Sequence, residues 1–316
     1  MSFPTPEPPP RGRLYDVGGR RLMLHRSGTG GPPVVFIPGS GLIGLDYVNI
    51  QDRVAGLTTA VVYDRAGTGW SDPADLPRTA AEVTDELRAL LDAAGVPAPY
   101  VLAGHSLGGA YARHYAQRFP EEVAGLLLLD PFHEEMVTRA PKQVLDMLAE
   151  MKGRDLPEPT DEQLQAAREQ LARHFAAWPE PVRGPLAERH LSSWRTAWSE
   201  DGNLYDEVAG ELRHAPALPD VPLIVLSAMG HDAVQAHLWP EDVLREINEG
   251  KRALHAELAA SVPRGEHRTV DAGHGWVHEE RADDVFAAVR ELLGPPTPES
   301  TSPRRAVRSP GGHGAS

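Results

Sequence analysis

The stretch Tyr100-Val-Leu-Ala-Gly-His-Ser-Leu-Gly-Gly-Ala110 decides the fold. A short apolar run ends at Ala103, a serine framed by glycines follows in Gly104-His-Ser-Leu-Gly108, and helical spacing continues to Phe119. Gly-x-Ser-x-Gly between a strand and a helix is typical of a sharp turn, in which the glycines permit close packing and the serine projects from the sheet edge. The pattern predicts that Ser106 is a nucleophile.

Continuous apolar runs elsewhere predict the rest of the sheet. Such runs indicate strands that are buried on both faces. Helical patterns alternate with them, and the helix from Thr79 to Ala94 opens with a capping box of Thr79 and Glu82. The sequence therefore predicts an α/β fold with a mostly parallel central sheet and helices on both faces. The predicted strands are Pro33 to Ile37, Thr59 to Tyr63, Tyr100 to Ala103, Val123 to Leu129, Pro222 to Leu226 and Glu266 to Val270.

Both ends of the chain depart from this alternation. Residues 13–17 and 20–25 alternate in polarity around Gly18-Gly19, which predicts an antiparallel N-terminal hairpin. Residues 1–10 and 294–316 are rich in Pro, Gly, Ser and Arg without apolar periodicity, which predicts disordered tails.

One long helical insertion interrupts the alternation between strands. Residues 133–219 carry Met, Trp, Leu and charged side chains at helical spacing. We therefore expect one domain over residues 11–293, with a core of residues 11–132 and 220–293 and a helical insertion of residues 133–219. A last helix is expected over Glu280 to Leu293.

Composition excludes several classes of function. The chain has 316 residues, a formal net charge of −14 and no cysteine. The acidic balance disfavours nucleic acid and membrane surfaces as partners, and the lack of cysteine removes thiol catalysis and cysteine-ligated metals. The N-terminus resembles no signal peptide and no apolar run is long enough for a membrane helix. We expect a cytoplasmic monomer or homodimer that acts on a small molecule.

A serine nucleophile needs a base and an orienting acid. His274 lies in Asp271-Ala-Gly-His-Gly275, directly after the last predicted strand, and is the candidate base; His278 is less well placed. The acid has two candidates, Asp130 and Asp232, because each follows a strand whose end lies at the carboxyl edge of the sheet.

Acyl transfer also requires donors for a developing oxyanion. One is expected to be the backbone amide of Leu107. The second is expected from Ser40 in the loop Pro38-Gly-Ser-Gly41.

Neither a metal nor a nucleotide cofactor is expected. His133-Glu-Glu-Met-Val137 lacks the second histidine of a zinc protease motif. The segment Ala66-Gly-Thr-Gly-Trp70 lacks the third glycine of a dinucleotide fingerprint.

Taken together, these motifs resemble those of the α/β-hydrolase superfamily from about Arg13 to Leu293. Tyr63-Asp-Arg-Ala-Gly-Thr-Gly-Trp-Ser-Asp72 looks like the family's Asp-x-Arg-Gly-x-Gly-x-Ser turn, and Ala272-Gly-His274 like its base motif. The resemblance implies that Asp64 to Ser71 is structural and that the helical insertion is a cap over the site. The loop at Pro38-Gly39 departs from the His-Gly of many relatives.

The resemblance gives one argument for each of the two candidate acids. Many relatives carry it after the strand that matches Pro222 to Leu226, which favours Asp232. Relatives that combine Tyr-Asp-Arg-Ala-Gly with Leu-Leu-Asp-Pro-x-His often have a variable loop there, which favours Asp130. We take Asp130 first and keep Asp232 as the alternative.

The function expected first is hydrolysis of a small carboxylic ester through an acyl-enzyme on Ser106. A C–C or amide-bond hydrolase similar to proline iminopeptidase is a variant of the same chemistry. The rival of another class is a ligand-binding or signalling protein whose triad is vestigial or turns over once, since the fold does not fix the function.

Overall fold

The structure is a computed structural model that describes residues 8–151 and 156–295. The predicted tails fall mostly on residues 1–7 and 296–316, which lie outside the described residues. Within the described residues, eight strands form a single sheet in the order β1-β2-β4-β3-β5-β6-β7-β8. The strands are β1 Arg13–Val17, β2 Arg20–Ser27, β3 Val34–Ile37, β4 Ala60–Tyr63, β5 Tyr100–His105, β6 Val123–Leu129, β7 Leu223–Ala228 and β8 Gly265–Val270.

The sheet is mostly parallel, as the sequence predicts. Strand β2 pairs antiparallel with both β1 and β4. The other six strands, in the sheet order β4-β3-β5-β6-β7-β8, run parallel to one another. The hairpin turns at Gly18 and Gly19, whose φ angles are 64° and 91°. Glycine adopts such positive φ values at little cost. The antiparallel pairing of β1 with β2 confirms the predicted hairpin.

Helices cover both faces of the sheet. Apolar side chains of α2, α3, α9 and α11 form the core on one face, and those of α1 and α13 form the core on the other. The helices are α1 Val48–Val54, α2 Ala80–Ala93, α3 Leu107–Arg118, α4 Met136–Arg139, α5 Lys142–Met151, α6 Asp161–His174, α7 Glu180–Ser192, α8 Thr196–Glu200, α9 Ala209–His214, α10 Ala233–Leu238, α11 Glu241–Ala260, α12 Val277–Glu280 and α13 Ala282–Leu293. Short 3₁₀ turns span Gly44–Tyr47, Pro120–Glu122, Phe175–Ala177 and Asp201–Asn203, and Leu204–Val208 is a π-helical turn.

The predicted C-terminal helix is present as α13. The sequence predicts a helix over Glu280 to Leu293, and α13 spans Ala282–Leu293, with the short helix α12 directly before it. Arg281 separates the two helices because its backbone, at φ −124° and ψ 38°, is not helical.

Helices α4 to α9 lie between β6 and β7 and dock on the core through apolar and polar contacts. Phe175 and Trp178 are buried, and the Trp178 indole donates to the backbone oxygen of Leu45 at 3.2 Å. His190 of α7 contacts the fully buried carboxylate of Asp46 at 2.8 Å. These contacts fix the inserted helices against the carboxyl end of the sheet.

Candidate active site

The turn between β5 and α3 holds Ser106 in a strained conformation. Its φ is 52°, a region that non-glycine residues rarely adopt. A Cβ at Gly108 would lie 2.1 Å from the backbone oxygen of Ile37, and one at Gly104 would lie 2.4 Å from the backbone oxygen of Gly108. Both glycines are therefore required by close packing, which positions the serine hydroxyl at the sheet edge.

Ser106, His274 and Asp130 form a continuous hydrogen-bonded chain. The Ser106 hydroxyl lies 3.0 Å from Nε2 of His274, and Nδ1 of the same ring lies 2.6 Å from Oδ2 of Asp130. A carboxylate oxygen only accepts, so the proton of a neutral imidazole is on Nδ1 and Nε2 is left to accept from the serine. This is the arrangement needed for proton transfer from the hydroxyl.

Asp130 is a buried carboxylate with a full set of donors. Its Oδ1 accepts from the backbone N–H of Ala228 at 3.0 Å, and its Oδ2 accepts from Nζ of Lys251 at 3.0 Å. Burial alone would raise the pKa of Asp130, but the charge of Lys251 and the hydrogen bond from His274 hold this pKa well below its usual range. The carboxylate is therefore ionised at neutral pH.

Asp232 contacts the backbone of the His274 loop rather than the imidazole. Its Oδ2 accepts from the backbone N–H of His274 at 2.9 Å, and its Oδ1 accepts from that of Gln235 at 3.0 Å, in the first turn of α10. The two candidate acids thus occupy different places, with Asp130 at the ring and Asp232 at the main chain.

A second chain of hydrogen bonds links the His274 loop to the loop after β3. The backbone N–H of Gly39 donates to the Tyr47 hydroxyl, which lies 2.8 Å from Nδ1 of His105. Nε2 of His105 lies 2.8 Å from the backbone oxygen of His274. Burial lowers the pKa of His105 to about 3, so the ring is neutral and its Nε2–H donates to that oxygen.

Arg65 holds the loop Pro38 to Gly41 in place. Its guanidinium donates to the backbone oxygens of Pro38 and Gly39 at 2.6 and 2.8 Å. It also forms a buried salt bridge with Glu200 of α8 at 2.7 Å, and Glu200 accepts from the backbone N–H of Gly41.

The two predicted oxyanion donors belong to two segments that adjoin Ser106. Ser40 follows β3 in the loop Pro38 to Gly41, and Leu107 begins α3. Among the hydrogen bonds of residues 8–151 and 156–295, none involves the backbone N–H of Ser40 or of Leu107. The Ser40 hydroxyl, by contrast, donates to the backbone oxygen of Ala197 at 3.0 Å.

A cavity of about 580 Å³ opens over Ser106 and His274. Volumes of 300–1,000 Å³ are typical of small-molecule sites. The walls are mostly apolar and come mainly from the inserted helices and from the segment Gln235 to Leu254; they include Phe132, Met147, Leu148, Leu204, Trp239 and Ile247. Asp201, Arg139 and Lys251 are the charged side chains in the wall besides Asp130.

The family follows from comparison with known proteins. A family model described as "Alpha/beta hydrolase family" matches residues 34–289. The chain belongs to this family. Lipase LipV of Mycobacterium tuberculosis (strain ATCC 25618 / H37Rv) is 29% identical over 285 residues, which are 87% of this chain and 98% of LipV. LipV is therefore similar to this chain over nearly its whole length.

Other relatives are matched over a smaller share or at lower identity. The uncharacterised protein YbdG of Bacillus subtilis (strain 168) is 30% identical over 122 residues, and this chain spans 38% of the length of YbdG. The crystal structure of the enol-lactonase from Burkholderia xenovorans LB400 superposes with a TM-score of 0.58 at 19% identity, over 89% of this chain and 99% of that one. This likeness shows the alpha/beta hydrolase fold.

His278, the histidine that the sequence ranks second as a base, packs in the protein interior. His278 is fully buried and stacks on Tyr47 with ring centroids 4.0 Å apart. Over residues 8–151 and 156–295, no three His, Cys, Asp or Glu side chains group as metal ligands. In that same part of the chain, no helix combines the length and apolar character needed to cross a membrane.

Sequence reasoning missed two side chains that support this alpha/beta hydrolase site. Arg65 lies in the turn Asp64 to Ser71, which the resemblance implies to be structural, and the sequence pattern does not indicate its partners. Lys251 left a readable signal, because it shares a buried face of α11 with Val243, Leu254 and Leu258. A charged residue on an apolar stripe is rarely buried unless it is paired, and that rule could have pointed to a buried acid.

Proposed function

We propose that this protein is a serine hydrolase that cleaves a small carboxylic ester through an acyl-enzyme on Ser106. The observation that carries the proposal is the hydrogen-bonded chain from Ser106 through His274 to Asp130, whose three side chains line a cavity. A pure binding protein has no physical need for a strained serine aligned on an imidazole and a buried carboxylate.

The first half-reaction forms the acyl-enzyme. The Ser106 hydroxyl attacks the ester carbonyl carbon while Nε2 of His274 takes its proton, and Asp130 stabilises the imidazolium. The carbonyl oxygen becomes an oxyanion that accepts from the backbone N–H groups of Ser40 and Leu107. The intermediate collapses, the ester C–O bond breaks, and the imidazolium gives its proton to the departing alcohol.

The second half-reaction returns the free enzyme. A water molecule gives its proton to Nε2 of His274 and attacks the acyl carbonyl. The second oxyanion uses the same two N–H groups. The bond to Ser106 then breaks, the serine oxygen recovers a proton from the imidazolium, and the carboxylic acid leaves.

The inserted helices act as a cap that selects the substrate. Their apolar side chains form most of the cavity wall, so an uncharged ester with an apolar acyl or alcohol group gains the most from burial, at about 25 cal/mol per Å² of apolar surface. The lipase name of LipV agrees with a substrate of this kind.

Turnover of p-nitrophenyl acetate and butyrate tests the proposal. Ser106→Ala is expected to lower kcat by about 10⁴-fold or more, because no other group can form the acyl-enzyme. Ser192→Ala, which changes an exposed serine of α7, serves as the matched control and is expected to retain wild-type turnover. Equal turnover by wild type and Ser106→Ala would contradict the proposal, and so would a wild type that binds these esters without cleaving them.

A further inference from the structure

Lys251 is a buried cation next to the acid of the proposed triad. Its side chain is 9% exposed, and its Nζ donates to Oδ2 of Asp130 at 3.0 Å and to the backbone oxygen of Ala228 at 2.6 Å. It extends from α11 to the end of β7 and also lines the cavity over Ser106. A lysine in such a place is costly to bury unless its charge is used.

One carboxylate oxygen serves both the lysine and the histidine. Oδ2 of Asp130 accepts from Lys251 and also faces Nδ1 of His274 at 2.6 Å, while Oδ1 accepts from the backbone N–H of Ala228. The ammonium and the imidazole are therefore neighbours across a single oxygen atom. Adding a proton to the imidazole places a second positive charge beside the first.

We propose that Lys251 is a positioning residue that acts through Asp130 to keep the imidazole of His274 unprotonated, and so able to accept the Ser106 proton, down to a lower pH. The inference rests on the proposed function. Its physical basis is that a nearby like charge disfavours the charged form of a titrating group. The carboxylate still orients Nδ1–H, but the lysine offsets part of its attraction for a second ring proton.

Other titratable groups surround the Asp130–His274 pair. His255 of α11 lies 3.9 Å from Oδ1 of Asp130, and burial lowers the pKa of His255 to about 4. His105 of β5 is neutral because burial lowers its pKa to about 3. Neither ring changes charge near neutral pH. Asp232 and Glu280 accept from the backbone N–H groups of His274 and Gly273, in the loop that carries the imidazole.

Asp201 is the neighbour whose titration falls in the relevant range. It follows α8, lines the same cavity, and interacts electrostatically with His274. Burial raises the pKa of Asp201 to about 6. The role of Lys251 is therefore best measured in an Asp201→Asn background, where this carboxyl no longer titrates.

The experiment measures kcat/KM for p-nitrophenyl butyrate, and the rate constant of inactivation by a fluorophosphonate, from pH 4.5 to 9. The proteins are Asp201→Asn alone and Asp201→Asn combined with Lys251→Met, Lys251→Gln or Lys251→Arg. The glutamine side chain keeps N–H donors but carries no charge, so this variant separates loss of the charge from loss of a polar end group. Arg139→Met is the matched control, since Arg139 lines the same cavity but pairs with Glu257.

Removal of the charge is expected to move the acid limb of both profiles to higher pH by about one unit, because protonation of the ring is no longer opposed. Lys251→Arg and Arg139→Met are expected to leave the limb in place. A lysine that only attached α11 to β7 would change the height of the profiles without moving the limb. That result in the Met and Gln variants would overturn the inference, whereas a wild type that neither reacts nor turns over would overturn the proposed function itself.

Discussion

At the scale of single residues, two aspartates divide the support of one histidine. Asp130 contacts the ring of His274, and Asp232 fixes the backbone of the same residue. Asp130 reaches the ring from a backbone with φ of 42°, directly after β6. The sequence places two carboxylates at the ends of neighbouring strands. The direction of each side chain depends on backbone angles that the sequence does not give.

The division predicts unequal effects of two matched substitutions. Asp130→Asn is expected to lower kcat by about 10⁴-fold, because an amide no longer fixes the productive tautomer of His274 or stabilises the imidazolium. Asp232→Asn is expected to lower kcat by less than about 10-fold, since its remaining oxygen can still accept one backbone N–H. Steady-state kinetics with p-nitrophenyl butyrate measures both, and thermal melting verifies folding. The reverse order of effects would assign the acid to Asp232.

At the scale of elements, the buried Arg65–Glu200 pair ties three segments together. Arg65 lies in the turn after β4, Glu200 ends α8, and both bond to the loop Pro38 to Gly41. The guanidinium and carboxylate are 2% and 4% exposed. The loop that carries Ser40 is therefore held by one core segment and one inserted helix.

This arrangement predicts separate effects on stability and catalysis. Arg65→Met leaves Glu200 buried without its partner, so the free energy of unfolding is expected to fall by about 3–5 kcal/mol. The double variant Arg65→Met/Glu200→Leu is expected to regain much of that stability. It is not expected to regain kcat, because the backbone oxygens of Pro38 and Gly39 still lack their donor. Urea denaturation and ester turnover measure the two quantities.

An exposed pair supplies the control for these variants. Arg168 and Glu188 form a salt bridge with both side chains about half exposed, at 49% and 60%. Arg168→Met is expected to leave both the free energy of unfolding and kcat close to the wild-type values, because an exposed ion pair contributes little to stability. Full recovery of kcat in the double variant would contradict a positioning role for Arg65.

At the scale of the whole molecule, the sheet could be predicted from the sequence and the site only in part. Continuous apolar runs identified six of the eight strands, and alternating polarity around Gly18-Gly19 identified the two strands of the hairpin, because strands leave a local pattern in the sequence. The turn at Ser106 could be predicted for the same reason. Asp130 and His274, however, are 144 residues apart, and Lys251 is 121 residues from Asp130. Contacts over such distances depend on how strands stack in the sheet, which no local pattern specifies.

The inserted helices illustrate the same limit. Helical spacing in the sequence predicts that these helices exist. They dock on the core through the polar side chains of His190 and Glu200, whose partners lie far away in the sequence. Buried polar pairs specify geometry through distance and direction, and a one-dimensional pattern records neither. The cavity and its apolar character therefore emerge only from the folded chain.

Reaction with a fluorophosphonate probe, followed by intact mass and peptide mapping, tests the central claim most directly. We predict one adduct per chain, located on the peptide that contains Ser106, absent from Ser106→Ala and formed much more slowly with Asp130→Asn. The reagent reports the activated serine itself and does not depend on the identity of the natural substrate. No adduct on the wild type, or an adduct mapped to another residue, would contradict a nucleophile at Ser106.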